Sequence, residues 1–354
     1  MGDAEVIQID TRARAASSST AARKQAGRAR CRATTSTGRP CRNNAVDGND
    51  YCRVHGGETS SAEVVPAPSP PAGASNPIEG FIDWLGDFAR RRLSGQYPID
   101  DFGYDPELAR EVLVPLMQPL YEHYFRVRTL WVNRIPADGP ALLVGNHSGT
   151  VALDAVMMQH AVATEHPERR TVRNIGANLV FGLPILGPLA RKAGNAVACD
   201  EDAYELLRRG ELVGVFPEGF KGVGKGWSER YRLQRFGRGG FIEVALRARV
   251  PIIPVAIVGA EESYPMIANS GFLAKALGLP YFPITPTWPL LGPLGAIPLP
   301  ARWIIEFGEP IPMDDYPEDA ADDKMLVFEL ADTIRDTVQQ MLLKNLKVRG
   351  GTFF

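Results

Sequence analysis

Residues 141–162 read ALLVGNHSGTVALDAVMMQHAV, an apolar run, a polar turn and a second apolar run of longer period. Ala141–Gly145 is short and uncharged, as suits a strand buried on both faces. Leu153–Val162 places its apolar side chains at helical spacing. The same alternation continues in both directions. Downstream, strands are expected at Val172–Ile175, Leu212–Phe216, Pro251–Val258 and Trp303–Phe307, with helices at Pro184–Ala193, Asp202–Arg209 and Gly240–Arg247 and a long one at Asp322–Leu346. Upstream, Ile78–Leu93 and roughly Pro106–Arg126 read as helical. Strands separated by helices predict an α/β fold, a mostly parallel sheet flanked by helices. No internal repeat is present.

Composition bounds what surrounds this core. The chain has 354 residues, 45% hydrophobic and 23% charged, which excludes wholesale disorder. Its 39 Lys+Arg against 41 Asp+Glu leave a net charge of −2, so a chain-wide polycation for nucleic acid is excluded while a local basic patch is not. Four cysteines are too few for a disulfide-stapled scaffold. The first residues lack the apolar region of a secretory signal, and Val6 stands where a myristoylation pattern needs Ser or Thr. A reducing, cytoplasmic setting is the expectation. The longest uncharged stretch, Ala276–Ala301, covers 26 residues but holds seven prolines, at Pro280, Pro283, Pro286, Pro289, Pro293, Pro298 and Pro300. Each removes a backbone donor and costs ~3 kcal/mol inside a helix, so this segment is not a spanning helix.

Three regions differ in composition. Residues 1–57 carry ten Arg/Lys against five acids and few large apolar side chains, residues 58–76 form a Pro/Ser/Ala-rich linker, and residues 77–354 hold the apolar periodicity. Within the first region Cys31, Cys41, Cys52 and His55 are separated by nine, ten and two residues. Three thiolates and one imidazole complete a tetrahedral Zn2+ shell, and a structural metal would supply the folding energy that the missing core cannot. Gly38-Arg39-Pro40 and Asp47-Gly48-Asn49 are turn chemistry between those ligands. The spacing resembles that of the plant WRC motif and of short zinc-knuckle-like segments. Its basic surround is suited to phosphates, whether of nucleic acid or of anionic lipid; a structural cap or partner-docking module is the plainer reading.

Chemistry concentrates beyond two of the strands. His147 directly follows an apolar strand and Asp154 lies a few residues on, the local pattern of a general base and the carboxylate that orients it. A second block, Phe216-Pro217-Glu218-Gly219, also follows a strand. Between Lys221 and Arg238 it leads into six basic residues (Lys221, Lys225, Arg230, Arg232, Arg235, Arg238) against one acid, Glu229. A glycine-rich cationic segment past a strand's carboxyl end is where α/β sheets bind anions. Ser148 does not sit in a G-x-S-x-G elbow, and no cation closely flanks Cys199, so neither reads as a strong nucleophile.

Asn146-His147 with Asp154, then Phe216-Pro217-Glu218-Gly219, then Val250-Pro251-Ile252-Ile253-Pro254 resemble blocks I, III and IV of the PlsC-like glycerolipid acyltransferase superfamily, in matching order and over roughly residues 77–345. Two departures stand out. His147 and Asp154 have six residues between them where the family has four, so the loop must bulge or Asp154 must come from the next helical turn. Gly194–Asp200 lacks the block II arginine, which shifts phosphate binding toward Lys221. The resemblance implies direct acyl transfer from acyl-CoA or acyl carrier protein to the hydroxyl of a lysophosphatidate or related lysophospholipid, with His147 as base and Asp154 as its orienter. Asn146, Phe216, Pro217, Glu218, Gly219 and Lys221 would form the substrate site, with Glu218 and Lys221 on the headgroup. Backbone amides near Gly145–Gly149 or Gly219 would meet the oxyanion, and no catalytic metal is called for. The apolar excursion Tyr281–Leu299 then suits an acyl chain, and with Ile78–Leu93, whose Phe81, Trp84, Leu85 and Phe88 precede Arg90–Arg92, it implies peripheral, monotopic membrane attachment. Two rivals are a zinc-knuckle nucleic-acid or partner-binding protein with an inactive acyltransferase-like domain, and a lipid hydrolase.

Overall fold

The structure, a computed structural model, describes residues 77–353 except 96, 238 and 279. The Cys31–His55 ligand set and the 58–76 linker lie outside the described residues. Contacts divide the chain at Ala89–Arg90, within helix α1 (Pro77–Ser94), and the second unit, Arg90–Phe354, holds the strands.

Nine strands are present among the described residues: β1 (Arg128–Leu130), β2 (Ala141–Gly145), β3 (Val172–Gly176), β4 (Ala196–Val197), β5 (Leu212–Val215), β6 (Ile252–Val258), β7 (Ala268–Asn269), β8 (Pro283–Ile284) and β9 (Ile304–Phe307). Seven form one sheet in the order β1-β9-β6-β2-β5-β3-β4, and β7 and β8 pair separately. All neighbours in the main sheet run parallel except β6 and β9. The helices that matter here are α2 (residues 106–124), α3 (Leu153–Glu165), α4 (Asp200–Arg208), α5 (Gly240–Ala248) and α6 (Lys324–Val348).

Strand β2 shows why the sheet is covered on both faces. Successive side chains point to opposite sides. Leu142 and Val144 join a cluster with Leu206 of α4, Ile242 of α5 and Ile334 of α6. Ala141 and Leu143 join another with Met157 and Met158 of α3. Every residue of β2, β5 and β6 is buried. Such strands read as continuous apolar runs rather than alternating ones, and this makes them legible in the sequence.

The expected helices and strands are found with small shifts at their ends. The departures have local causes. The helix expected over 106–126 is broken by π turns at Ala109–Leu113 and Leu120–Tyr124. Pro115 and Pro119 lack the N–H that an α-turn needs, and the ladder widens beside them. Strands β4, β7 and β8 have two residues each, too few for a period to show. The basic end of α1 is neutralised. Arg92 pairs with Asp105 and with Glu107 (3.0 Å), and Arg91 also pairs with Glu107.

Candidate active site

Parallel β2 and β5 are adjacent, with Val144 opposite Val215, so their carboxyl ends finish side by side. Asn146-His147-Ser148 leaves one and Phe216–Gly219 the other. The end of β6 flanks them through Gly145 opposite Val255. Ligand crevices of α/β sheets form at this edge. Asn146 does not face it. The side chain is fully buried, donating Nδ2–H to the Ile257 carbonyl (2.9 Å) and accepting the Ile257 N–H at Oδ1 (2.7 Å). It behaves as an extra rung joining β2 to β6, which corrects its expected place among substrate contacts.

The long block I resolves through both of the ways the spacing allows. The chain bulges at Gly149, whose φ is +79° and whose Cβ would stand 2.9 Å from the Ala260 carbonyl oxygen. Asp154 then enters from the first turn of α3, where the helix N-terminus favours a carboxylate. Its Oδ2 accepts from the Ser148 N–H (2.8 Å) and meets His147 Nδ1 at 2.8 Å, and its Oδ1 accepts from the Ala155 N–H (2.8 Å). Asp154 is wholly buried, while the His147 side chain keeps 16% exposure. The Phe216 ring lies 4.9 Å from the imidazole, centroid to centroid. With Nδ1–H given to the carboxylate, Nε2 is the nitrogen able to take a proton.

Glu218 has a different job from the expected one. It is buried, 4% exposed. Oε1 accepts the backbone N–H of His147 (2.9 Å), and Oε2 accepts that of Gln234 (2.7 Å). Lys225 Nζ, also buried, lies 3.3 Å from Glu218 and 3.1 Å from Glu261. Glu261 in turn accepts the Tyr231 N–H (2.9 Å). Thus Glu218 braces the backbone that carries His147. Lys225 is no free anion donor, being held between two carboxylates. Burial is the strongest influence on its ammonium and pulls the pKa down, yet Glu261 and Glu218 outweigh it and the net shift is upward. Burial pushes Glu261 up to about 7 against the pull of Lys225. Lys221, by contrast, is exposed on the short helix Phe220–Val223. Gly222 makes this packing possible, since a Cβ there would fall 2.6 Å from the His147 carbonyl oxygen.

Three backbone amides expected to meet an oxyanion are already bonded, His147 to Glu218, Ser148 to Asp154 and Gly219 to the Phe216 carbonyl (3.0 Å). In the block II position, Cys199 caps α4, its Sγ accepting the Asp202 N–H at 3.4 Å, and burial raises its thiol pKa. The proline-laced excursion touches the site, because Tyr281 donates its hydroxyl to the Thr150 carbonyl (2.7 Å). Burial first, then the charge of Asp154, lifts that phenol to about 12. Leu290 and Leu294 of the excursion are exposed. Sequence reading missed Glu261, Gln234 and the roles of Lys225 and Tyr281. Lys225 looked like any member of a basic run, and the others had no local pattern. Among the described residues no three His, Cys, Asp or Glu side chains gather as a metal site.

The Acyltransferase family model matches residues 126–258, from just before β1 to the end of β6, so His147, Asp154 and Phe216–Lys221 all fall inside it. The uncharacterized protein Rv0502 of Mycobacterium tuberculosis is 47% identical over 306 residues, covering 86% of this chain and 83% of its own. The uncharacterized protein ML2427 of Mycobacterium leprae is 48% identical over 270 residues, covering 76% and 74%. The chain belongs to the family of these mycobacterial proteins and carries an Acyltransferase domain. A human protein named DGAT1/2-independent enzyme synthesizing storage lipids is 26% identical over 219 residues, 62% of this chain and 61% of that one. The 1-acyl-sn-glycerophosphate (LPA) acyltransferase PlsC from Thermotoga maritima aligns with a TM-score of 0.45 at 18% identity, covering 76% of this chain and 90% of that one.

Proposed function

We propose that the protein is an O-acyltransferase that moves a fatty acyl group from a thioester, acyl-CoA or acyl carrier protein, to the hydroxyl of a lysophosphatidate or related lysophospholipid. The observation that carries this reading is the His147–Asp154 pair at 2.8 Å, set at the carboxyl edge of the sheet with the imidazole partly exposed. Nε2 removes the proton from the acceptor hydroxyl as its oxygen attacks the thioester carbonyl. The tetrahedral intermediate collapses with loss of the thiolate, and the proton held on His147 is available to the departing sulfur. Asp154 fixes the ring through Nδ1. Lys221, exposed beyond the Phe216–Gly219 turn, is a cation placed to meet an acceptor phosphate.

Apolar side chains exposed on the 281–299 excursion, Leu290 and Leu294 among them, support a protein resting on a membrane surface. No helix among the described residues is long and apolar enough to cross one. The deciding experiment is thiol release from palmitoyl-CoA, screened over glycerol 3-phosphate, lysophosphatidate, lysophospholipids and diacylglycerol. Diacylglycerol is included because the human relative is named for storage-lipid synthesis. Activity peaking on lysophosphatidate is expected, and no release with any acceptor from either donor would end the proposal. For the amino-terminal region we propose one structural Zn2+ on Cys31, Cys41, Cys52 and His55. One zinc per chain by elemental analysis, lost in a Cys41→Ser variant, is the expected result.

A further inference from the structure

Beyond the site itself lies a cleft of about 650 Å3, within the range of small-molecule sites. One wall is the last part of α6, with Gln339, Leu343 and Leu346, and the other is the loop 227–232. Three arginines line it, Arg230, Arg232 and Arg349, against one acid, Glu262. That acid is already neutralised. Tyr231 donates its hydroxyl to Glu262, and Arg349 pairs with Glu262 at 2.8 Å. The Nε of Arg349 is buried without a hydrogen-bond partner among the described residues. Arg230 and Arg232 are exposed, and neither has an acidic partner among the described residues. The cleft is therefore cationic. It also offers flat apolar surface in Trp227, over whose ring the Arg230 guanidinium sits at 4.4 Å.

Trp227 and Arg230 additionally line a second, much smaller cavity with Gly149, Thr150 and Gly222. Gly222 is the residue whose Cβ position is 2.9 Å from that of His147. The two cavities thus share Trp227 and Arg230 as walls, and the smaller one reaches Gly222, which packs against His147. A ligand anchored there by phosphates, with a long flexible arm, could present its reacting end to His147.

We infer that this cleft binds the nucleotide end of a CoA thioester, with the 3′-phosphate and diphosphate on Arg230 and Arg232 and the purine against Trp227. The inference rests on the proposed acyl transfer and deepens it, since it selects CoA over a carrier protein as donor. Guanidinium–phosphate contacts are charge-assisted, and a planar indole suits a purine face.

The test compares the full-length protein with its R230Q/R232Q variant, by calorimetric titration with adenosine 3′,5′-bisphosphate and by palmitoyl-CoA kinetics. The wild type should bind the bisphosphate and the variant should bind it at least about tenfold more weakly. The variant's KM for palmitoyl-CoA should rise by a similar factor, with kcat and the acceptor KM unchanged. The wild type should prefer palmitoyl-CoA to its 3′-dephospho analogue, and the variant should lose that preference. A rise in the acceptor KM instead would make the cleft a lipid-headgroup site and overturn the inference. So would bisphosphate binding that is absent or insensitive to the two substitutions. The calorimetric arm needs no turnover, so a wild type that binds the nucleotide but transfers no acyl group would sink the acyltransferase reading while leaving the cleft assigned.

Discussion

Two loops leave neighbouring strands at one edge of the sheet, and each carries an equally plain sequence signal. After β2, the polar residues of Asn146–Asp154 yield one partly exposed imidazole, His147, held by buried Asp154. After β5, Phe216–Gly219 yields a carboxylate turned inward, buried against backbone amides and Lys225. One loop presents an imidazole at the carboxyl edge of the sheet and the other braces the backbone that carries it. The second loop's Glu218 looks like a ligand contact in sequence because its partners come from 147, 225 and 234, none of which is its chain neighbour. A motif marks a site without saying which of its side chains reach the substrate.

The strongest way to break this contrast is to remove each loop's central group. His147→Ala deletes the aimed element, and kcat for thiol release should fall by about 10²–10⁴-fold. Only a modest drop in melting temperature is expected, since Asp154 keeps its bonds from the Ser148 and Ala155 amides when the ring is lost. Half the activity surviving in a folded variant would refute the base assignment.

Lys225→Met attacks the brace. It leaves Glu218 and Glu261 as two buried carboxylates with no cation between them. Taking one partner from a buried ion pair costs about 3–5 kcal/mol. A clear drop in melting temperature is expected, with a smaller loss of activity than His147→Ala produces. The opposite result, unchanged stability with activity abolished, would make Lys225 a substrate contact and erase the distinction between the loops.

How much of this was legible follows from where each interaction lies along the chain. The long buried strands announced themselves because burial on both faces leaves an unbroken apolar run, as in Ile252–Val258. The His147–Asp154 pair was legible because both ends sit within eight positions and share one turn. Asn146 shows the limit of a local reading. An amide after a strand looks like a substrate contact, and nothing local reveals that Ile257, a residue of the next strand over, takes two of its hydrogen bonds. The Glu218–Lys225–Glu261 cluster failed for the same reason on a larger scale. Its third member is 43 positions from the first, reached only because β6 lies two strands from β5. Long-range charge pairing leaves no period, and a lysine inside a basic run carries no mark of being buried.

A subtler probe of the brace is its response to pH. Burial raises Glu261 from an ordinary 4.5 to about 7. In the unfolded chain this carboxyl loses its proton near 4.5, while in the folded protein it keeps it until about 7. Between those values the folded state binds more protons than the unfolded one, so stability falls as pH rises through that window. Below 4.5 the contribution is fully present, and above 7 it has been lost. Lys225 shifts upward from 10.5, so it stays charged throughout and does not add to the slope. Glu261→Gln keeps the shape and removes the titration. The urea midpoint of the wild type should therefore decline between pH 5 and pH 8 by more than that of the variant. Equal slopes in the two proteins would mean that Glu261 ionises normally. The brace would then be an ordinary ion pair open to water, and the two loops would differ less than their geometry indicates.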